Sequence, residues 1–273
     1  MSEMIHVASR EIKIGFRNPW AYSFMALFAL FMFSLLLINA QGYVKGYSGS
    51  SGTMLNLALY LLPLMALMLG SFSLTGEKEE GNWELLSTYP LGTWPYLAGK
   101  YIGLAVVLLT IVAMGFGLSG AAGWLLGSGF DFSTYITLLL FSACLSMFFL
   151  SVAMLAGTLA RNRWQALTIV VGIWFFLIIA WPSLLIAALG MLPYLWIKPA
   201  VIGMTSLNPA ELTRLFTVVK LGGGSTLGPE YYKWMVWIES PWGTPVFAGA
   251  ALLWIGAALT VAYLIWERRR GRG

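Results

Sequence analysis

The sequence predicts an all-α integral membrane protein with six transmembrane helices and both termini in the cytoplasm. Of its 273 residues, 59% are hydrophobic and only 10% are charged, whereas about 25% of the residues of an ordinary soluble domain are charged. Its mean hydropathy is +0.79. Apolar runs of about 20 residues recur along the chain, and each is long enough to cross a hydrocarbon layer about 30 Å thick. We therefore treat residues 1–273 as a single transmembrane domain.

An amphipathic entry helix is predicted over residues 1–19, lying along the inner membrane surface. Its apolar residues follow helical spacing: Ile5, Ala8, Ile12 and Phe16. Pro19 should end the helix, because the residue before a proline disfavours helical geometry.

The six spans are expected at about residues 20–40, 54–75, 93–127, 135–160, 166–186 and 245–266. Thr93 is the expected cap of the third span. The apolar run after Arg163 continues to Ile197, which is too long for one crossing. We expect breaks at Pro182 and Pro193, followed by a shallow or re-entrant apolar piece.

An extracytoplasmic loop is expected over residues 187–244, and it contains one clear helix signal. Asn208 suits the cap and Pro209 the first position, and Gly222–Gly224 provides a stop. Apolar residues fall on one face of this helix: Leu212, Leu215, Phe216 and Val219. The helix either covers the outer mouth of the bundle or docks an extracytoplasmic partner.

A face without bulk is predicted along the third span. Gly115, Ser119, Gly123 and Gly127 recur every four residues. Helices approach closely at such faces, because association within lipid depends on packing. Two interpretations are open, a tightly packed internal face or a subunit interface.

The lysines and arginines are distributed unequally between the two sides of this topology. The side of both termini carries eleven of them and the other side carries five. A surplus of positive charge marks the cytoplasmic side. It also explains the net charge of +5 better than binding of nucleic acid does.

Several classes of function are disfavoured by the composition. One cysteine, Cys144, allows no internal disulfide, and one histidine, His6, allows no His-based metal cluster and no Ser-His dyad inside the membrane. The middle of each predicted span lacks ionisable residues, which carriers coupled to ions or protons usually keep there. The chain has no GxxxxGK[ST] loop for ATP. The pair Met65 and Met68 is typical of a helix core rather than of a copper path.

An acidic segment over residues 76–100 conflicts with its predicted cytoplasmic position. Four glutamates and one lysine give residues 77–84 a net charge of −3. Anionic lipid on that side repels carboxylates. The segment is either a solvated turn between two spans or a contact site for a protein partner.

Three pieces of the chain together resemble the ABC-2 type permeases. They are SREIKIGFRNPW at the N-terminus, GEKEEGNWELLSTYPLGTWPYLAGKYIG after the second span, and SLNPAELTRLF in the outer loop. Among these permeases the chain is most similar to the subunits of copper-processing systems that mature nitrous oxide reductase. The segment after the second span carries most of the resemblance.

The resemblance implies a non-catalytic half-transporter without a cofactor, in a bacterial or archaeal cytoplasmic membrane. It would form a homodimer with two copies of a separate cytoplasmic ATPase, which binds ATP and Mg²⁺. The residues implied to contact the ATPase are Glu77, Glu79, Glu80, Trp83, Glu84, Arg10, Glu11 and Arg17. An extracytoplasmic accessory protein is also implied, and the candidate contacts are Asn208, Glu211, Arg214 and Phe216.

Two functional hypotheses follow. The first is a permease subunit driven by a separate ATPase and serving maturation of a copper enzyme. The alternative is a membrane scaffold or mechanotransmitter that anchors an external protein and moves no solute.

Overall fold

The computed structural model describes residues 2–39, 49–81, 92–125 and 131–270, and all regular secondary structure within these ranges is helical. The α-helices are α1 Ser2–Arg17, α2 Pro19–Asn39, α3 Gly49–Glu79, α4 Thr93–Leu125, α5 Phe132–Leu159, α6 Arg163–Trp174, α7 Trp181–Met191, α8 Tyr194–Leu207, α9 Pro209–Lys220, α10 Tyr232–Glu239 and α11 Gly243–Arg270. A π-helical segment, Phe175–Ala180, joins α6 to α7.

Within the described ranges, five helical segments are long and apolar enough to cross a membrane. They are Ser51–Glu79, Thr93–Leu125, Phe132–Leu159, Arg163–Met191 and Gly243–Arg268. Shorter apolar helices are Ala21–Ser34 and Leu195–Leu207. The predicted all-α membrane protein is confirmed. The first of the six predicted spans, residues 20–40, falls on α2 and stays a prediction.

The helices form a bundle with one strongly charged end. Helix α3 packs along α5 and α6, while α1 and α2 pack along α4. At one end the last turn of α3 meets the end of α5 and the start of α6. Thr93 at the start of α4 donates a hydrogen bond of 2.5 Å to Glu267 near the end of α11. We call this the charged end, and the opposite end the far end.

The small-residue face of α4 lies inside the bundle. Gly115, Ser119 and Gly123 are all buried, and Gly127 lies outside the described residues. A side chain at Gly115 would overlap the ring of Phe28 on α2, which is itself fully buried. The face therefore serves internal packing of α2 against α4, one of the two interpretations that the sequence left open.

Pro182 does not interrupt the fifth predicted span, although a break was expected there. A proline has no N–H to donate to a preceding carbonyl. The chain adjusts by a π-helical turn, in which the Trp181 N–H donates to the Phe176 carbonyl. In the same pattern the Leu177 carbonyl would need the N–H that Pro182 lacks. The side-chain amide of Asn208 donates to this carbonyl instead, at 2.7 Å.

Helices α8 and α9 form a hairpin that returns into the bundle. Leu177, which Asn208 contacts, lies about 21 Å from either end of the span Arg163–Met191 at about 1.5 Å per residue. The indole N–H of Trp254, about 17 Å along α11 from Gly243, donates to the Ser206 carbonyl at 3.3 Å. The turn between α8 and α9 therefore lies at the depth of the middle of the spans.

This position falls within residues 187–244, and the expectation that they form an extracytoplasmic loop stays a prediction. The re-entrant piece is not shallow, and it includes the amphipathic helix α9, which begins at Pro209. The apolar face of α9 packs into the bundle, as in the interpretation that it covers the outer mouth. Phe216 stacks on Phe247 of α11 with ring centroids 4.0 Å apart. Helix α9 thus runs from mid-depth towards the far end.

A bulky side chain at Gly115 should destabilise the bundle. Gly115→Leu must displace Phe28, and overpacking of this kind costs about 1–3 kcal/mol. Gly117→Leu is the matched control, because a Cβ there meets no atom within 4 Å. We expect a lower thermal midpoint for purified Gly115→Leu only, measured in detergent. Equal midpoints for the two variants would contradict the α2–α4 packing.

Candidate functional site

A cleft of about 980 Å³ opens at the charged end between α1, α3 and α6. Six of the eight residues predicted to contact an ATPase line it: Arg10, Glu11, Arg17, Glu77, Glu79 and Glu80. Trp83 and Glu84 lie outside the described residues. Apolar side chains, among them Phe72 and Trp164, complete the lining. The structure thus gathers residues of the entry helix and of the acidic segment around one cleft.

Lys100 lies at the centre of a buried group of charges in the wall of this cleft. Its ammonium is 2.7 Å from the Glu11 carboxylate and 3.1 Å from that of Glu77. It also donates to the Ser73 hydroxyl at 2.8 Å, and that hydroxyl donates to Glu11 at 2.8 Å. One lysine therefore joins α1, α3 and α4.

Two further groups complete the pairing of Glu77. The Arg10 guanidinium of α1 donates to one carboxylate oxygen at 2.8 Å. The Tyr96 hydroxyl of α4 donates to the other. Both carboxylates of the group are therefore paired with cations, and the sum of charges over Arg10, Glu11, Glu77 and Lys100 is zero.

The ion pairs of this group are buried, and they hold α1, α3 and α4 together. Lys100 is 1% exposed, Glu11 2% and Glu77 7%. Charges so far from water need paired partners and hydrogen bonds, because desolvation opposes their burial. Glu11 and Glu77 are consequently used within the chain, whereas Arg10, with 43% of its side chain exposed, borders the opening of the cleft.

Two glycines on α4 let the entry helix approach closely enough for these contacts. A Cβ at Gly103 would lie 2.7 Å from the Ala8 carbonyl oxygen, and one at Gly99 would lie 2.7 Å from that of Met4. Both positions therefore require glycine. The same pair brings Glu11 of α1 beside Lys100 of α4, with Lys100 immediately following Gly99.

Lys78 connects the same turn of α3 to a different part of the bundle. Its ammonium donates to the carbonyls of Gly157 and Ala160 at 2.8 and 2.7 Å, where α5 ends. A cation at the C-terminus of a helix satisfies carbonyls that lack helical partners and complements the helix dipole. The ammonium also lies 4.9 Å from the ring centroid of Trp266 on α11.

Glu79 and Glu80 connect α3 to the start of α6. The backbone N–H of Arg163 donates to Glu79 at 2.7 Å, and its guanidinium lies 3.3 Å from Glu79 and 3.5 Å from Glu80. These side chains are partly or largely exposed. Exposed ion pairs contribute only about 0–1 kcal/mol each. They therefore remain accessible to another protein at little energetic cost.

The last turn of α3 is thus joined to five other helices by consecutive side chains. Glu77 binds α1 and α4, Lys78 binds α5 and α11, and Glu79 with Glu80 binds α6. Ion pairs and hydrogen bonds therefore connect this turn to most of the bundle. We call residues 76–80 the α3 hub.

Sequence reasoning missed the roles of Lys100 and Lys78, which it used only in counting charges. A signal was present for Lys100, because it lies seven residues inside the apolar helix α4, one turn after Tyr96. A lysine that far from the helix end on the face of a buried tyrosine indicates a buried acidic partner. No comparable signal marks Lys78.

The residues predicted to contact an outer partner lie in or beside the hairpin. Asn208 is fully buried and accepts a hydrogen bond from the Ala210 N–H at 2.9 Å, as predicted for a helix cap. Glu211 is buried and paired with Arg214 at 2.7 Å. Phe216 packs on Phe247. Their role in binding a partner stays a prediction. Across the described residues, no three His, Cys, Asp or Glu side chains are grouped as metal ligands would be.

The fold and this site define a multi-pass helical membrane protein whose spans are joined to a charged cleft at one end. The sequence profile of the ABC-2 family transporter proteins matches residues 5–270, and the chain belongs to this family. The predicted resemblance to ABC-2 permeases is confirmed.

Two relatives cover almost the whole chain. The "Probable ABC transporter permease protein NosY" of Stutzerimonas stutzeri is 28% identical over 278 aligned positions, covering 98% of this chain and 99% of the relative. The protein with the same name from Pseudomonas aeruginosa is 30% identical over 290 positions, covering 96% and 97%. The alignments therefore include both the hairpin and the charged end.

Removing the cation at the centre of the buried group should destabilise the protein. Lys100→Met leaves Glu11 without a cation, and breaking a buried pair costs about 3–5 kcal/mol. Lys13→Met, on the exposed side of α1, is the control. We expect a large fall in the denaturation midpoint for Lys100→Met, with partial recovery in Glu11→Gln/Lys100→Met. If Lys100→Met unfolds like Lys13→Met, the buried group does not hold α1.

Proposed function

We propose that this chain is the permease subunit of an ABC transporter powered by a separate cytoplasmic ATPase, which docks at the cleft of the charged end. The observation that carries the proposal is the α3 hub. Its exposed glutamates border the cleft, while buried Glu77 joins α1 and α4 and half-buried Lys78 joins α5 and α11. A partner that pushes on the hub therefore acts on the whole bundle.

Orientation follows from the positive charges. The charged end holds the entry helix, the short connection with Arg161 and Arg163, and the end of α11, so most lysines and arginines lie there. The rule for positive charge favours the cytoplasm for this end. With α2 as a further crossing, the chain has six spans and both termini in the cytoplasm of a bacterial or archaeal cell.

The mechanism is a rigid-body movement driven from the cytoplasm. When ATP binding closes the two partner ATPases, each ATPase moves the cleft in which it is docked, and the α3 hub at the edge of the cleft moves with it. Because α1, α4 and α5 are joined to the hub, these helices tilt together, which changes the exposure of a path between two copies of the chain. The ATPase supplies the ATP and Mg²⁺ site. We propose a homodimer with two copies of the ATPase.

The cleft offers a mixed surface to such a partner. Glu79 and Glu80 offset much of the charge of Arg10, Arg17 and Arg163 around it, and Trp164 is largely exposed. Oppositely charged groups fix the register of a contact, and an exposed tryptophan supplies apolar area. A helix with both acidic and basic side chains fits this surface better than anionic lipid does.

The names of the two relatives and the resemblance of the three sequence pieces support a role in maturing a copper enzyme such as nitrous oxide reductase. An extracytoplasmic accessory protein belongs to this proposal. The alternative is a scaffold or mechanotransmitter that pulls on such a protein without moving a solute. ATPase activity that responds to the accessory protein, with no solute translocated, would favour the alternative.

Charge reversal at the hub tests the ATPase contact. We expect Glu79→Lys/Glu80→Lys to fold but to lose the copurifying ATPase and at least about ten times in coupled activity, which corresponds to about 1.4 kcal/mol. Glu239→Lys at the far end is the control. The measurement is an affinity pull-down from mild detergent with mass spectrometry and ATPase assay.

A third variant separates partner binding from the internal ion pairs. Glu79→Lys/Glu80→Lys/Arg163→Glu restores opposite charges between α3 and α6. If this variant regains the ATPase, the glutamates act through Arg163. If it does not, they contact the partner directly. Full copurification and activity in the double reversal would refute the proposed site.

A further inference from the structure

The α8–α9 hairpin places an ion pair deep within the bundle, where the sequence indicated no span. Arg214 donates to one oxygen of Glu211 through Nε at 3.0 Å and Nη2 at 2.7 Å. Thr213, the residue before Arg214, contacts the thiol of Cys144. Cys144 lies about 18 Å from the start of the 28-residue helix α5 at about 1.5 Å per residue. The backbone of Arg214 therefore lies near the depth of the middle of the spans.

The guanidinium also stays at that depth. Long cationic side chains near the end of a span usually extend to the membrane surface. Arg214 instead turns towards Glu211, one helical turn nearer to the deep beginning of α9. The ion pair consequently lies between the midplane and the far end, and it does not reach the headgroup region.

This pair is only partly enclosed by protein. Glu211 is buried, yet a third of the Arg214 side chain is exposed. A guanidinium has five N–H groups, and two of them are used on Glu211. Among the residues that the structure describes, the three others meet no acceptor. The second oxygen of Glu211 likewise meets no donor within that part of the chain.

Hydrocarbon cannot satisfy these groups. In lipid every polar N–H must find an acceptor within the protein or in a water-filled cavity, and ionisable residues in spans face such cavities or other protein. Exposed leucines on α11 at similar depth, such as Leu253, show that other faces of the bundle suit lipid. The face with Arg214 does not suit it.

We propose that the Arg214 face of α9 borders a water-filled vestibule that enters the membrane from the far end and stops at the tip of the hairpin. The inference rests on the proposed permease function, and it names the chemical class of solute that such a path would admit. A space lined by a hydrated guanidinium and a carboxylate admits hydrophilic solutes and excludes lipid tails. The Glu211–Arg214 pair is its polar floor.

Cysteine accessibility tests this vestibule directly. Cys144→Ser removes the chain's sole cysteine, and Glu211→Gln/Arg214→Cys then places a thiol at the pair without leaving an unpaired carboxylate. The full-length protein, reconstituted in vesicles, is treated with a membrane-impermeant, negatively charged methanethiosulfonate. Three single cysteines serve as references: Ser225→Cys in an exposed turn, Leu253→Cys on the lipid-facing side of α11, and Val218→Cys in the buried face of α9.

We expect the cysteine at position 214 to react within about tenfold of the rate at position 225, and at least a hundredfold faster than at 253 or 218. Labelling at 225 combined with no labelling at 214 would overturn the vestibule. Should the double substitution fail to fold, Arg214→Cys alone is the second variant, with the same criterion.

The labelling needs no ATPase, so its failure is distinct from failure of the proposed function. An unlabelled position 214 together with an intact response of the ATPase to the α3 hub would remove the vestibule and leave the permease. If position 214 is labelled but no ATPase binds, the water-filled vestibule is supported and the proposal of an ATPase-driven permease fails.

Discussion

The arrangement of the charged end depends on one buried cation. Lys100 brings its ammonium to two carboxylates from two different helices, and without it Glu11 would be buried with no cation beside it. The entry helix has no span of its own and is tied to the bundle by this pairing and by close contact at Gly99 and Gly103. The amphipathic pattern of α1 predicts a position at the membrane surface, and the ion pairs fix where α1 packs against α3 and α4.

The buried and the exposed charges of the α3 hub make two different kinds of contact. Glu77 is enclosed and fully used, which makes the link to α1 and α4 strong and insensitive to salt. Glu79 and Glu80 pair with Arg163 near water, where such pairs are weak and exchange easily. A single turn of helix thus offers an exchangeable contact to another protein and a permanent contact to the bundle.

Much of the fold could be predicted from the sequence, because the lengths of apolar runs and the positions of positive charges are local properties of the chain. The spans, the entry helix, the Asn208 cap and the acidic segment were all visible in this way. Pairings between distant residues are not local properties, and the sequence therefore predicts Glu77 as an exposed contact rather than as a partner of Lys100. The depth of α9 was hidden as well, because its amphipathic pattern is the same for a surface helix and for one packed inside a bundle.

The contact between Asn208 and the Leu177 carbonyl fixes the tip of the hairpin to the fifth predicted span rather than to the segments beyond it. Pro182 creates the free acceptor, so a residue that normally disrupts a helix here supplies the attachment point. The connections over residues 221–242 can accordingly gain or lose residues among relatives without changing how deep the hairpin reaches. The same contact connects the tip of the hairpin, through the π-helical segment and α6, to Arg163 at the charged end.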